Sequence, residues 1–415
     1  MLFLRGARQL LTLRGSPRRG GAQPDLGLIR DGGLLIDGGK ILEVGATPRL
    51  VNLARARGAR VIDVSGKVVL PGFIDCHTHL SYDQPHLEEF ERRVAGAPTA
   101  PHTVRRTSAT SLTMTDLKNR SSRWLRMALA HGVTTSDVRS RVSSGHKALF
   151  KSLRAVKSLS GHPQELRSTV TFETAGLSPQ ETLALFDALL GRGRAAYACE
   201  VDCTPSRADL AQAVETLDIA RRYGFALKVQ ADRFERQGAA RMAVEMGALT
   251  VEHAIHLSET DIDALAAAPT IAVLMPGAAF HHDSGDFPPA RRLVDSGAAV
   301  ALATGFGPDE CPTPAMSVVL SLACRQLRLM PEEAIAAATI NAAAAIGCDD
   351  RLGSLEPGKQ ADIAVFDVSD YREIPYYLGL NLCVMTLKKG VPVYPRRPPT
   401  PVGVAADQHV GRTAR

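Results

Sequence analysis

Short apolar segments alternate with segments of helical periodicity through most of the chain. The candidate strands cover residues 68–75, 133–138, 168–172, 197–201, 225–230, 249–253, 270–275 and 298–304. Strands this apolar are typical of a parallel sheet that helices cover on both faces. Eight such repeats favour a closed barrel over an open doubly wound sheet. The pattern therefore predicts an α/β protein built on a distorted TIM (β/α)8 barrel.

The two ends of the chain follow a different pattern. Near the start, short strands alternate with glycine turns, as in DGGLLIDGGKILEVG, and strands return near the end in KQADIAVFD, CVMTLKKG and VPVY. We interpret both ends as one small discontinuous β-sandwich domain, formed by residues 1–66 and 348–395. Residues 67–347 would then form the barrel, and the proline-rich segment 396–415 a disordered tail.

Composition narrows the class of partner. Aromatic residues make up only 5% of the chain, and the formal charge of +6 is concentrated in end segments such as RGARQLLTLRGSPRRGG. Without a basic stripe or aromatic platforms, we expect a small-molecule ligand and no nucleic acid. No apolar run reaches the roughly 18 residues that a membrane span needs, so we expect no membrane partner.

The cysteines bear on the compartment. Seven cysteines without a CxxC pair indicate a reduced, cytoplasmic protein. An organelle transit peptide in the Arg-rich start is the alternative.

The motif PGFIDCHTHL carries the strongest chemical signal. It places His77 and His79 two residues apart at the end of the first predicted barrel strand. Residues i and i+2 of a strand point to the same side, so both imidazoles can reach one metal ion. The carboxyl end of barrel strands is also where active sites of this fold lie. The sequence thus predicts a metal site here.

Several longer segments resemble one known family. PGFIDCHTHL is similar to the first metal motif of the amidohydrolase superfamily. EEFERRVAGA (88–97), the run from FPPARRLVDSG to INAAAAIG (287–347) and DYREIPYYLGLNLC (370–383) resemble imidazolonepropionases. The similarity extends from about residue 10 to 395, which identifies the chain as a member of that family.

The resemblance implies one zinc or iron ion that activates water to hydrolyse a cyclic amide or amidine C–N bond, as in histidine breakdown. It assigns His77 and His79 as ligands and His253 as the catalytic histidine. Gln230 stands at the position of a ligand histidine, and Gly305 at that of a ligand aspartate. A neutral carbonyl oxygen is a weaker zinc ligand than imidazole, and glycine offers no side chain. We therefore expect a weakened metal site.

Other residues are candidates for compensation and for substrate binding. Groups that could replace the missing ligands are Asp232, His256, His281, His282, Asp309 and Glu310. The resemblance also implies substrate-binding roles for His86, Arg93 and Arg105.

Three functional hypotheses follow. The first is a diverged amidohydrolase, which the family expects to be a homodimer. The second is a noncatalytic relative that binds a ligand or partner, since Gln230 and Gly305 replace metal ligands. The third is a hydrolase that uses no metal, or one ion held by His77, His79 and His253 alone.

Overall fold

The computed structural model describes residues 1–82, 84–96, 112–142, 145–173, 177–193, 195–203, 209–282, 285–308 and 310–395. The strands are β1 Leu2–Leu11, β2 Leu28–Asp37, β3 Lys40–Ala46, β4 Arg60–Asp63, β5 Val68–Pro71, β6 Phe73–Thr78, β7 Val133–Arg141, β8 Glu165–Glu173, β9 Ala198–Asp202, β10 Ala226–Ala231, β11 Thr250–His253, β12 Ile271–Leu274, β13 Ala299–Leu302, β14 Ile363–Phe366, β15 Cys383–Lys388 and β16 Val391–Tyr394.

The helices are α1 Thr47–Ala56, α2 Leu87–Val94, α3 Met114–Ala130, α4 His146–Ser158, α5 Pro179–Gly191, α6 Leu210–Arg222, α7 Ala239–Glu245, α8 Glu259–Ala267, α9 Pro276–His282, α10 Ala290–Asp295, α11 Met316–Gln326, α12 Pro331–Ala337, α13 Ile340–Ala345 and α14 Glu373–Tyr376. In the part of the chain that the structure describes, no helix is both long and apolar enough to cross a bilayer. The seven cysteines are free thiols.

Strands β6 to β13 form the barrel predicted from sequence. They pair in chain order as parallel neighbours, and helices follow the strands. The predicted bounds of the first strand, 68–75, were wrong. Val68–Pro71 pairs with β1 and β14 in a separate sheet, and the barrel strand begins only at Phe73. Pro71 and Gly72 explain the break, because proline has no amide hydrogen to donate and glycine is found where strands bend.

The separate sheet combines both ends of the chain. Its order is β16-β15-β14-β5-β1-β2-β3, with β4 beside β1. Val69 pairs with Leu10 on one side and with Val365 on the other, which joins segments that are far apart in sequence. The division into domains at residues 66 and 347 stays a prediction, and the tail 396–415 lies outside the described residues.

The first and last barrel strands are joined by hydrogen bonds at the end where the strands finish. Asp75 Oδ1 accepts from the Thr304 amide (3.0 Å), and Asp75 Oδ2 accepts from the Thr304 hydroxyl (2.5 Å). The Gly305 amide donates to the carbonyl of His77 (3.1 Å), and the His79 amide donates to that of Phe306 (2.6 Å). These contacts place the segment after β13 directly beside the histidine pair.

Candidate metal centre

His77 and His79 meet at the carboxyl end of β6. Their Nε2 atoms are 3.0 Å apart, and the His77 ring is fully buried. Strand alternation brings the two side chains to the same side, as the spacing predicted. Desolvation, and then the nearby Arg141 cation, lower the pKa of His79 well below 6.5. His79 is therefore a neutral imidazole at physiological pH, the form that binds metals.

The other ring nitrogen of His77 is hydrogen-bonded to a carboxylate. Nδ1 lies against Glu252 Oε2 in β11, and Glu200 Oε1 in β9 is 3.8 Å away. Donation from Nδ1 to a carboxylate leaves Nε2 as the unprotonated nitrogen and fixes the ring, an arrangement common around metal-binding histidines. Although His77, Glu200 and Glu252 offer donor atoms within 4.8 Å of one another, both carboxylates already have cationic or amide partners. We therefore assign them to orienting His77 and not to holding an ion.

Arg139 in β7 holds those carboxylates in place. Its Nη2 donates to both oxygens of Glu252 (2.7 and 2.8 Å), its Nε donates to Glu200 (3.1 Å), and its Nη1 is 2.8 Å from Asp137. All four side chains are fully buried. Buried charges are tolerated only when they are paired and hydrogen-bonded, which is the case here.

Asp137 extends this network towards the opposite end of the barrel. It accepts from Lys228 Nζ (2.9 Å) and from the Tyr197 hydroxyl (2.7 Å). Burial acts to raise the pKa of Asp137, but the Lys228 and Arg139 cations outweigh it and bring the pKa down to about 2. The same attraction overcomes burial and raises the pKa of Lys228. Asp137, Arg139 and Lys228 are therefore all charged at neutral pH.

Gln230 lies at the end of β10, where the family has a histidine. Its Nε2 donates to Glu200 Oε2 (2.8 Å), while its Oε1 is buried and has no hydrogen-bond partner among the described residues. A buried acceptor without a donor is uncommon in native proteins and is often satisfied by a ligand, an ion or water. The amide thus offers one oxygen that a cation could use.

His253 ends β11 with φ of +68°, an unusual value for a residue other than glycine. Its ring centre is 6.2 Å from that of His77, and its Nε2 is buried with no hydrogen-bond partner in the part of the chain that the structure describes. Burial, and then the nearby Arg233 cation, lower the pKa of His253 well below 6.5. His253 is therefore a neutral imidazole beside the histidine pair, where the family resemblance predicts it.

Of the residues that could replace the missing aspartate, Glu310 is the one whose carboxylate the structure places in this region. It is 1% exposed, and its Oε2 is 3.9 Å from His253 Nε2. Both of its oxygens lie 2.8 Å from Arg233, and Arg141 is 3.7 Å away. Glu310 is thus a buried carboxylate that faces His253 and is held by two guanidinium groups.

The geometry at Gly305 shows how this replacement is accommodated. Gly305 has φ of +64°, and a Cβ added there would lie 3.2 Å from Met275 Sδ and 3.5 Å from Glu310 Cβ. A Cβ at position 305 would therefore be in tight contact with Met275 and in ordinary van der Waals contact with Glu310. The aspartate position is not simply empty, because a carboxylate from five residues later approaches the same region.

The remaining compensation candidates have other partners or lie outside the described residues. The Asp232 carboxylate accepts from the amides of Gln237, Gly238 and Ala240 (2.5, 3.0 and 2.8 Å), which open α7. The structure leaves His256 half-buried, with its amide bonded to the Asp232 carbonyl. His282 Nε2 is 2.7 Å from Arg233, and His281 stacks on Phe90. Asp309 is among the undescribed residues.

The predicted substrate-binding residues are only partly visible. Arg93 in α2 donates to the His281 carbonyl (2.9 Å) and to Glu89 (2.7 Å), so it packs α2 against α9. His86 immediately precedes α2 and is half-buried. Arg105 lies outside the described residues. Substrate binding by these three residues stays a prediction.

Sequence reasoning missed the buried charged network, although a signal for it exists. Asp137, Arg139 and Arg141 occupy alternate positions of β7, and Glu200 and Asp202 do the same in β9. Charged residues spaced by two within an apolar strand point into one interior face. Their mutual pairing could not be read from the sequence, because the partners are 61 residues apart for Arg139 and Glu200 and 113 apart for Arg139 and Glu252.

Known proteins with similar sequences cover nearly the whole chain. The Amidohydrolase family model matches residues 225–394. The imidazolonepropionase of Alkaliphilus metalliredigens is 33% identical over 413 residues, covering 94% of this chain and 97% of that protein. The imidazolonepropionase of Geobacillus kaustophilus is 37% identical over 414 residues, with 94% and 97% covered.

Solved structures share the fold at lower identity. Escherichia coli guanine deaminase superposes with a TM-score of 0.71 at 20% identity, covering 95% of this chain and 99% of that one. An adenosine deaminase from Xanthomonas campestris with bound zinc gives a TM-score of 0.70 at 19% identity, covering 94% and 92%.

The barrel, its flanking sheet and these matches define an amidohydrolase, a hydrolase that acts on carbon–nitrogen bonds in cyclic amides. Within that class, the chain belongs to the imidazolonepropionase family. The matches give no support to the alternative of a noncatalytic relative.

Proposed function

We propose that this protein hydrolyses the C–N bond of an imidazolone-type ring with water activated by one divalent metal ion. The observation that carries the proposal is the 3.0 Å approach of His77 Nε2 and His79 Nε2, with the Nδ1 of His77 hydrogen-bonded to Glu252. Two imidazole nitrogens that converge from one strand, one of them oriented by a carboxylate, form the core of many zinc sites.

The residues around the pair fit one zinc or iron ion. His77 and His79 would supply two imidazole ligands, and Gln230 Oε1, which is buried and has no hydrogen-bond partner among the described residues, would supply a third ligand atom from a neighbouring strand end. Two imidazoles and one amide oxygen form a borderline donor set that suits either metal. When bound, such an ion lowers the pKa of a coordinated water towards neutrality.

The chain's own residues prepare this chemistry. Glu252 keeps the proton of His77 on Nδ1, and Arg139 fixes Glu252 through both of its oxygens. We propose that His253 polarises the ring carbonyl of the substrate or accepts a proton from the attacking water, as a neutral imidazole can do both.

Glu310 is our candidate for the proton carrier. Its Oε2 is 3.9 Å from His253 Nε2, so a small movement of either side chain would allow a proton to pass between them. The carried proton would go to the ring nitrogen that leaves when the C–N bond breaks. Glu310 would thus be the described carboxylate nearest to His253 in a site where the resemblance places a ligand aspartate at position 305 and this chain has Gly305.

The local charge balance bears on the substrate. Arg141 and Arg233 are paired with three carboxylates, those of Glu173, Asp202 and Glu310. Among the residues that the structure describes, two cations against three anions leave no excess positive charge at these contacts for a propionate group. We therefore propose the cyclic amide or amidine ring as the recognised part, with imidazolone propionate as the first substrate to test and its neutral amide derivative as the second.

The deciding experiment combines elemental analysis with a turnover assay. We expect close to one equivalent of zinc or iron per chain and ring-opening activity, both lost in His77→Ala and His79→Ala. His146→Ala is the matched control, because His146 is exposed at the start of α4. A protein that holds no zinc or iron after growth with both metals and opens neither ring would contradict the proposal.

A restoring substitution tests the ligand assignment separately. Gln230→His should tighten metal binding, because imidazole is a better ligand than an amide oxygen for zinc. Competition with a chelator measures this without relying on activity. Unchanged metal affinity would remove position 230 from the ligand set. A cytoplasmic location, expected from the cysteines, and a homodimer, expected from the family resemblance, stay predictions.

A further inference from the structure

A second cavity lies at the opposite end of the barrel from the histidines. Its volume is about 1000 Å³, and it opens between α4, the first residues of β8, the loop before β9 and the turn after β15. Glu165 begins β8 and Tyr197 immediately precedes β9, so the cavity lies at the amino ends of the barrel strands. Barrel active sites lie at the other end.

The charges that line this cavity are strongly unbalanced. Among its described lining residues, seven side chains are Lys or Arg and one, Glu165, is a carboxylate. Glu165 pairs with Arg351 (2.5 Å) and Lys388 (3.2 Å). No described carboxylate lies within ion-pair distance of the other cations: Arg154, Lys157, Arg167, Arg192 and Lys389. The cavity thus concentrates positive charge, most of which no described carboxylate neutralises.

Three polar atoms of the wall are also unsatisfied. Arg167 Nε, Gln164 Oε1 and His162 Nε2 are buried without a hydrogen-bond partner among the described residues, and all three residues line the cavity. Within the same part of the chain, Arg167 Nη1 donates to the sulfur of Cys348 (3.1 Å), a weak acceptor. Buried donors and acceptors without partners are costly, and a ligand that supplies the missing partners relieves that cost.

Arg167 is held in a fixed orientation. Its guanidinium carbon lies 3.7 Å from the centre of the Tyr197 ring, and Arg192 lies 4.2 Å from that of Phe150. Stacking leaves the N–H edges of a guanidinium free to bind oxygen atoms in its plane. Leu153, Val156 and other apolar side chains form part of the same wall.

We propose that this cavity binds a small organic molecule that carries several negative charges, in phosphate or carboxylate groups, together with an apolar part. Arg167, Arg154 and Lys157 bind the anionic groups, and the apolar wall beside α4 receives the rest. Guanidinium groups that are oriented in advance bind phosphate and carboxylate oxygens with two parallel hydrogen bonds, which favours multiply charged ligands over chloride.

Isothermal titration calorimetry on the full chain tests the proposal. The probes are ATP, tripolyphosphate and citrate, with adenosine as the uncharged control. We expect saturable binding of at least one anion with a Kd below about 1 mM, weakened when salt is raised from about 50 to 200 mM. ATP binding tighter than tripolyphosphate would support a contribution from the apolar wall, and preference for citrate would identify carboxylates as the anionic groups.

Variants separate this site from general surface charge. Lys157→Met and Arg154→Met should each weaken binding by about tenfold, the effect of losing one charge-assisted contact. Lys147→Met is the matched control, because Lys147 is exposed in the same helix and does not line the cavity. Arg167→Met should abolish binding, and its unfolding temperature shows whether it still folds.

Three outcomes would overturn the proposal. One is the absence of saturable binding for all three anions. Another is equal weakening by Lys147→Met and Lys157→Met, which would show nonspecific attraction. If Lys157→Glu changes the sedimentation of the protein while no anion binds, the cavity is covered by a second copy of the chain and the proposal fails.

Discussion

Both ends of the barrel contain several basic side chains, but only at one end are most of these cations paired with carboxylates that the structure describes. Near the histidines, Arg139 alone contacts three carboxylates, those of Asp137, Glu200 and Glu252. In the opposite cavity, Arg154, Lys157 and Arg167 have no carboxylate partner among the described residues. Charges that are matched inside the chain fix the orientation of other side chains, whereas unmatched charges remain available to a ligand.

The two regions differ in how much their charged side chains contribute to the stability of the fold. In a fully buried, fully paired network, removing one member leaves the charge of its partner buried and unpaired. Each single removal therefore lowers the free energy of unfolding by a large amount. Removing an exposed or half-buried cation lowers the free energy of unfolding only slightly. Single substitutions near the histidines should therefore lower the free energy of unfolding much more than single substitutions in the opposite cavity.

The largest effect is expected from Arg139→Met. It leaves three buried carboxylates without their shared cation, and breaking a buried pair by removing one partner costs about 3–5 kcal/mol. The free energy of unfolding in urea measures this. Arg222→Met, an exposed position in α6, is the control. A loss no larger than that of the control would show that the network does not stabilise the barrel.

The pH dependence of stability gives the next largest effect. The pKa of Asp137 is about 2 in the folded protein against an ordinary value of 3.8. A lowered folded pKa contributes stability above the unfolded pKa that is lost as the pH falls, here about 2 kcal/mol between roughly pH 4 and pH 2. Urea unfolding at several pH values measures how the free energy of unfolding changes with pH. Between roughly pH 4 and pH 2 this change should be smaller for Asp137→Asn than for the parent protein. Equal slopes would mean that Asp137 is not the charged centre described here.

Glu252→Gln should weaken metal binding by about 10-fold to 100-fold, the usual consequence of altering a hydrogen-bond partner of a ligand histidine. The amide can still accept from His77 through its oxygen, but it loses the charge that strengthens the imidazole. Chelator competition on the parent and variant proteins measures the change. Glu165→Gln, in the opposite cavity, should leave metal affinity unchanged, and a similar loss in both variants would erase the distinction between the ends.

The smallest effect concerns the connection between the ends. Tyr197 lines the cavity, and its hydroxyl donates to Asp137 at 2.7 Å. Tyr197→Phe should lower the free energy of unfolding by about 1.5 kcal/mol, the usual value for a hydrogen bond to a charged group. The same unfolding assay applies, with Tyr223→Phe as the control, because its hydroxyl bonds to Asp187 on the surface. An equal loss in both would show that the bond to Asp137 stabilises the fold no more than a surface hydrogen bond does.

The fold was largely predictable because barrel strands carry a local signal. All eight predicted strands occur, and seven keep nearly the predicted bounds. The reason is that a short apolar run between two helical segments is visible within a few neighbouring residues of the sequence. The first was displaced because Val68–Pro71 and Phe73–Thr78 form one apolar stretch in sequence but belong to different sheets. Sheet membership depends on distant partners and cannot be read from such a stretch.

The candidate site was predictable only where its geometry is local. His77 and His79 follow from strand alternation, which needs two residues of context. The approach of Glu310 to His253 depends on the path of the segment after β13 and on the +64° φ angle of Gly305. A sequence shows that Gly305 lacks a side chain, but only the fold shows which side chain occupies the neighbouring space.

The hydrogen bonds between Asp75 and Thr304 also determine when the site can form. These residues are 229 positions apart, yet their contact holds the segment after the last barrel strand against the first. Contacts between such distant residues form late in folding, because a long loop must close before they contribute. The histidine pair is encoded within three residues, but its surroundings are complete only when the eighth strand has docked. Metal uptake during refolding would therefore report the last step of barrel assembly.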